Sequence, residues 1–276
     1  MRYMYKLLVI YALCMHSATI DYIPKRAMCF PIGTPTLHPK IQDIVSFLLP
    51  LIQLHKHKHA TNRVLPPFFL GVCGIQGCGK TTLTRELQGL LTRPPYNLRV
   101  LGFSLDDLCL PRCELRALAD KHAQNPFLMQ RGLPGTHDMH LAGSFFDHLS
   151  RQGSDVDAIV RVPTYDKSAN AGEGDRVDEG LWREEKSPWD IIVFEGWMVG
   201  FTPLGRVEVE RRWLENKKTR NGTLGRHKLQ DLLWLDEQLQ KYQDLWGKVE
   251  ALIHLWVSFP CFSFFTMDVR TGRLMG

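Results

Sequence analysis

The 276-residue chain has no apolar run long enough to span a bilayer, which argues against stable membrane insertion. It also lacks the clustered charge of a nucleic-acid binder: the formal net charge is only +5, and the basic residues are dispersed apart from a charged stretch at 205–228. Its seven cysteines form no Cys-x-x-Cys pair, and the spacing of Cys109 and Cys113 is not matched by a second pair, so reduced thiols in a cytoplasmic protein are expected rather than a zinc site or a disulfide framework. His55-Lys-His-Lys-His59 has no cysteine or carboxylate beside it and reads as the solvated end of a helix. No internal period marks a repeat protein. The signature stretches of two nucleotide-binding classes are missing as well. Asn216-Lys217-Lys218-Thr219 lacks the acid of a guanine-reading Asn-Lys-x-Asp, and there is no Leu-Ser-Gly-Gly.

What is present centres on residues 66–82. The apolar stretch Phe68 to Cys73, bounded by Pro67 and Gly74, suits a buried strand, and Leu83, Leu87, Leu90 and Leu91 fall on one helical face after it. Gly74-x-x-x-x-Gly79-Lys80-Thr81 therefore lies between strand and helix, the setting in which this spacing forms a phosphate-binding loop. Triphosphate oxygens need several converging backbone N–H groups, and Gly74, Gly77 and Gly79 let the backbone approach them. The expected ATP-binding set is Gly74, Gln76, Gly77, Cys78, Gly79, Lys80, Thr81 and Thr82. Lys80 supplies a cation to the phosphates, and the Thr81 hydroxyl serves Mg²⁺.

Two further strands end in acids. Leu98 to Ser104 runs into Leu105-Asp106-Asp107, at the end of a parallel strand where ligands bind in open α/β sheets, and one or other acid is expected to cap the segment after the strand. Ile191-Ile-Val-Phe-Glu195-Gly196 closes a continuous apolar strand with one acid, placed to hold Mg²⁺. Between them, Arg131-Gly-Leu-Pro-Gly-Thr-His137-Asp138 must be a loop carrying fixed polar groups, with Thr136 or Asp138 available to cap a helix from Met139 to Leu149. A second polar loop comes after the strand 158–162 and holds Tyr165, Lys167 and Arg176.

Elsewhere, helices are expected at 41–54, where Pro50 should bend or end the element, at 112–130, and at 229–246; 205–228 reads as a surface excursion and 251–257 as a last strand. Residues 19–38 read as an irregular lead-in. Residues 1–18 leave two readings open, a signal-bearing or organellar start and an extended or misassigned one. The sum is one α/β domain with a parallel β-sheet flanked by helices on both faces, the P-loop nucleoside-triphosphate hydrolase fold.

Gly74-Ile-Gln-Gly-Cys-Gly-Lys-Thr-Thr-Leu83, Ser104-Leu-Asp-Asp107, the 131–138 loop, Tyr165-Asp-Lys-Ser with Gly174-Asp-Arg176, and Phe194-Glu-Gly-Trp-Met-Val-Gly-Phe201 together resemble the D-glycerate 3-kinase type of P-loop kinase, most closely its fungal ATP-dependent relatives. Those are similar in turn to uridine kinases, phosphoribulokinases and bacterial pantothenate kinases. The likeness covers 39–256. It implies Asp106 as the base, with Lys80 and Glu195 completing the catalytic set and Thr81 and Glu195 at the metal. Asp106, Arg131, His137, Asp138, Tyr165, Lys167 and Arg176 would surround a small-molecule hydroxyl acceptor, most simply D-glycerate. Residues 1–38 have no counterpart in the resemblance, and 257–276 stand where the family continues with a lid and further helices. A product of impaired turnover or a protein that binds ATP without transferring phosphate is accordingly expected as the alternative, as is a kinase for a nucleoside or pantothenate-like acceptor.

Overall fold

A computed structural model describes residues 27–32, 38–151, 158–219, 222–257, 266–268 and 273–275, so the signal-like start at 1–18 lies outside the described residues. In chain order the elements are β1 (Ala27–Ile32), α1 (His38–Lys58), β2 (Phe68–Gly74), α2 (Lys80–Leu91), β3 (Val100–Ser104), α3 (Arg112–Lys121), α4 (Met139–Ser150), β4 (Ile159–Val162), β5 (Tyr165–Asp166), β6 (Asp175–Arg176), β7 (Arg183–Lys186), β8 (Ile191–Gly196), α5 (Arg206–Lys217), α6 (Leu229–Gln240), α7 (Gln243–Trp246) and β9 (Ala251–Val257), followed by β10 (Thr266–Asp268) and β11 (Arg273–Met275).

Five strands form one sheet in the order β1-β9-β2-β8-β3, and every pairing in it is parallel. The two expected apolar strands are its centre. Every residue of β2 and of β8 is buried, because a parallel sheet carries helices on both faces and its strands cannot alternate apolar with polar. The pleat then sorts their side chains. Phe68, Leu70, Val72, Ile191, Val193 and Ile253 join the core under α1 and α2, whereas Phe69, Phe103, Ile192, Phe194 and Leu252 join the one under α4, α6 and α7. Small antiparallel pairs, β4 with β7 and β5 with β6, hang off the sheet and hold the second polar loop. Among the described residues, no helix is long and apolar enough to cross a membrane.

Several boundaries differ from the sequence expectation. Residues 27–32 of the supposed lead-in form an edge strand beside β9, a position where Pro31 is tolerable because one side of an edge strand needs no N–H donor. Helix α1 continues through Pro50 to Lys58: Pro50 and Ser46 are both exposed, so the carbonyl that the missing N–H leaves unpaired faces water, while Ile41, Ile44, Val45, Leu48 and Ile52 hold the other side to the sheet. The histidine stretch after it is not wholly solvated. His55 is buried, its Nδ1 2.7 Å from Glu250 Oε2 and its Nε2 2.8 Å from the Pro66 carbonyl oxygen, so it ties the end of α1 to two neighbouring segments. The helix expected over 112–130 stops at Lys121, and Asn125 and Pro126 start a separate short turn. The charged stretch at 205–228 is no mere excursion, since Arg206–Lys217 is helical. Glu208 binds both Arg211 and Arg212, and Glu215 binds Arg211, so pairs three and four residues apart supply what a thin apolar stripe does not.

Candidate active site

The loop from β2 to α2 has the expected shape, but its glycines serve different ends. Gly77 and Gly79 have φ of 80° and 89°, backbone that other residues adopt only under strain. At Gly74 the constraint is packing: an added Cβ would lie 2.7 Å from the Leu255 carbonyl oxygen and 2.7 Å from Cys78 Sγ. Lys80 opens α2 and donates through Nζ to the carbonyl oxygens of Gly74 (2.8 Å) and Ile75 (3.0 Å), which keeps its ammonium over the loop. Gln76 and Thr82 are exposed at the loop's surface. Cys78 is buried, and burial raises its thiol's pKa against the pull of Lys80, so it packs rather than reacts.

Thr81, the second residue of α2, donates its hydroxyl to Glu195 Oε1 at 2.7 Å across to the end of β8. Glu195 is buried. A hydroxyl and a carboxylate at this position form an all-oxygen donor pair, which suits a hard divalent cation of the magnesium kind.

In the β8–β3 register Glu195 stands beside Ser104, and the two acids, Asp106 and Asp107, come after Leu105. Their roles separate cleanly. Asp107 accepts the Ser104 N–H on Oδ2 at 3.0 Å and Ser104 Oγ accepts the Asp106 N–H, a reciprocal cap on the turn 105–108. Asp107 is the capping acid, and burial raises its carboxyl to about 6. Asp106 is left to face Lys167, whose Nζ lies 2.7 Å from Oδ2. Burial alone would raise Asp106, but the Lys167 charge and hydrogen bond, with His137 and Lys80 adding to them, hold it below the usual carboxylate range. The Lys80 charge acts on Asp106 and the Glu195 charge on Lys167, so the glycine loop, the Thr81–Glu195 pair and Asp106 share one end of the sheet.

The 131–138 loop is pinned from several sides. Thr136 Oγ1 accepts the Gly132 N–H and donates to the Leu133 carbonyl oxygen, both at 2.8 Å, and Trp197 Nε1 donates to the Gly132 carbonyl oxygen at 2.7 Å. Its far end zips against 108–110 through Leu110 N–H to Thr136 O and Asp138 N–H to Leu108 O, bringing His137 beside Cys109. Asp138, expected at the acceptor, is spent on the fold: Oδ1 accepts the Leu141 N–H at the start of α4, and Oδ2 pairs with Arg176 Nη1 at 3.0 Å. Arg176 also donates from Nη2 to the Cys109 carbonyl oxygen at 2.8 Å. Arg131 spans Gly172 and Glu173 carbonyls and lies 5.5 Å over the Tyr165 ring. Tyr165 is buried and pairs with Arg176 across β5 and β6.

Among the described residues, His137 Nε2, Tyr165 Oη and Arg176 Nε are buried without a partner. An unpaired buried polar group costs about 1–3 kcal/mol, and these three belong to residues held together through Cys109 and the β5–β6 pair, so a polar guest beside them would offset that cost. Asp106, Cys109 and His137 also bring one ligand atom each within 4.8 Å of one another. This trio makes a poor metal centre, since burial pushes the Cys109 thiol far up and Lys167 already neutralises Asp106. Sequence reasoning had not put Cys109 here, nor Tyr242, whose hydroxyl lies 2.7 Å from His137 Nδ1; a tyrosine 105 residues away on a helical repeat signals only core.

A five-stranded parallel sheet with this loop, lysine and threonine–glutamate pair defines the P-loop nucleoside-triphosphate-binding class. No family model matches the chain. It is 38% identical over 190 residues to the uncharacterized kinase mug58 of Schizosaccharomyces pombe, covering 68% of this chain and 64% of that one. Identity to the chloroplastic D-glycerate 3-kinase of Arabidopsis thaliana is 37% over 153 residues, 55% of this chain and 33% of that one. The solved D-glycerate 3-kinase from Cryptococcus neoformans var. grubii superposes with a TM-score of 0.72 at 30% identity, over 80% of this chain and 73% of its own. The chain belongs to the D-glycerate 3-kinase family of P-loop kinases, and it spans less than two thirds of the length of both curated relatives.

Proposed function

We propose that the chain is an ATP-dependent phosphotransferase acting on an alcohol, with D-glycerate as its acceptor. The observation that carries this reading is the single sheet end where Lys80, the Thr81–Glu195 pair and the Asp106–Lys167 pair act on one another, with three unpartnered buried polar atoms beside them.

In the step itself the acceptor's hydroxyl oxygen bonds to the γ-phosphorus while the bond from that phosphorus to the β,γ-bridging oxygen breaks, and the hydroxyl proton passes to Asp106. Most of the catalysis is positioning and charge neutralisation. Lys80 and the loop N–H groups, from Gly74 through Thr82, hold the phosphates. Thr81 and Glu195 would hold Mg²⁺, which supplies further neutralisation of the phosphate oxygens when bound. Lys167 keeps Asp106 ionised and thus able to accept a proton. Asp138 acts indirectly, by clamping Arg176.

The cations near Asp106 favour a small hydroxy acid over a nucleoside. Lys167 lies on Asp106, Arg176 reaches the Cys109 carbonyl oxygen and Arg131 covers the Tyr165 ring, and arginine pairs readily with carboxylates. The test is incubation with γ-labelled ATP, Mg²⁺ and D-glycerate, pantothenate or uridine in parallel, followed by the mass of the product. Phosphoglycerate as the main product is expected; ATP binding with no phosphorylated product from any of the three would overturn the reading.

A further inference from the structure

Tyr242 sits between α6 and α7, is wholly buried, and stacks on Trp246 with ring centroids 5.7 Å apart. Its hydroxyl receives the Gly135 N–H at 3.1 Å. With that donor on the oxygen, a buried phenolic proton still needs an acceptor, and among the described residues the one within reach is His137 Nδ1 at 2.7 Å. Resting on the phosphotransfer reading above, we infer that Tyr242 is a positioning residue: it fixes the tautomer of His137 so that Nε2 carries the ring proton and offers an uncharged hydrogen bond to an oxygen of the acceptor.

The surroundings agree. His137 is buried, and burial lowers its pKa to about 4 against the opposing charge of Asp106, so the ring is neutral and carries one proton. Nδ1 is taken by Tyr242, so Nε2 is the nitrogen left for a guest; it has no partner among the described residues, and the ring sits beside Asp106 and Cys109. A charged imidazolium there would compete with Lys167 for Asp106. A neutral N–H instead binds a hydroxyl or carboxylate oxygen of the guest and leaves the Asp106–Lys167 pair alone.

The test reads the tautomer first. Long-range proton–nitrogen correlation on chain labelled with ¹⁵N-histidine, with His137→Gln assigning the signals, should give a protonated Nε2 and a bare Nδ1. A proton on Nδ1 would overturn the inference, and this spectrum decides even where a variant fails to fold. Tyr242→Phe should release the constraint, moving proton density to Nδ1 and raising the KM for D-glycerate about tenfold with the KM for ATP unchanged. Glutamine at 137 has an amide donor that needs no tautomer, so in the His137→Gln background Tyr242→Phe should leave the D-glycerate KM within twofold. An equal rise in both backgrounds would mean Tyr242 only packs. Failure of the unmodified chain to phosphorylate D-glycerate would remove the acceptor reading, while the nitrogen spectrum would still decide the Tyr242 assignment.

Discussion

Asp106→Asn is the substitution that bears most directly on the proposed chemistry. It preserves shape, and the new amide oxygen can still accept from Lys167, so what disappears is the negative charge and the capacity to take a proton. The pair it weakens is 2.7 Å long, but its side chains are 54% and 33% exposed, which makes it a surface-like ion pair contributing about 0–1 kcal/mol to stability. The melting transition should therefore barely move. Loss of a general base lowers turnover by about 100- to 10,000-fold, which is about 3 to 5 kcal/mol of barrier at roughly 1.4 kcal/mol per decade. Binding of ATP should go the other way. Asp106 pulls on the Lys80 ammonium without touching the loop, so its removal leaves ATP affinity within about threefold and slightly tighter. The control is Asp107→Asn, whose side-chain oxygen still caps Ser104 and which should cost turnover no more than a few-fold. Single-turnover transfer from labelled ATP, calorimetric ATP titration and thermal melts on the two variants separate these effects. Retained transfer in Asp106→Asn, or equal losses in both variants, would refute the assignment of the base.

Three other outcomes are expected. Lys80→Ala should weaken ATP about 10- to 100-fold by calorimetry, the range for losing a charged hydrogen bond; unchanged affinity would dissociate Lys80 from the phosphates. His55 has an oxygen acceptor at each ring nitrogen, and although burial pulls its pKa down, Glu250 and the Pro66 carbonyl outweigh that and leave it above 6.5. Its contribution is full below 6.5 and fades as pH rises through the higher folded value, so denaturant stability should decline across that window, and Glu250→Gln should flatten the decline. A slope unaltered in that variant would clear His55 of the role. Phe194→Ala empties a site whose ring lies 4.9 Å from both Phe103 and Phe146, and should cost about 3–5 kcal/mol in urea melts; less than 1 kcal/mol would mean the aromatic cluster collapses to refill it.

The parts of this molecule legible from sequence are those where one physical demand dominates. Buried parallel strands must be apolar throughout, so 68–74 and 191–196 stood out, and the glycine spacing before Lys80 admits few other conformations. The choice between Asp106 and Asp107 could not be read locally, because it depends on which carboxylate turns back to the Ser104 N–H. Asp138 looked like a ligand group for the same reason that it makes a good cap: a short acid at the end of a loop serves either purpose. Helix α5 was obscured because its support comes from Glu208, Arg211, Arg212 and Glu215 rather than from an apolar face. Tyr242 could be read only as a core residue of a helical repeat, since its partner is brought to it by the completed fold.

The strand order β1-β9-β2-β8-β3 has a consequence for synthesis on the ribosome. Strand β2 finds its two neighbours at 191–196 and 251–257, more than a hundred residues downstream, so the nucleotide loop at its tip has no walls until almost the whole sheet has emerged. Such distant closures are slow. Until then the nascent chain carries the greasy stretch Phe68 to Cys73 uncovered, a natural perch for chaperones and a hazard when translation stalls before β9.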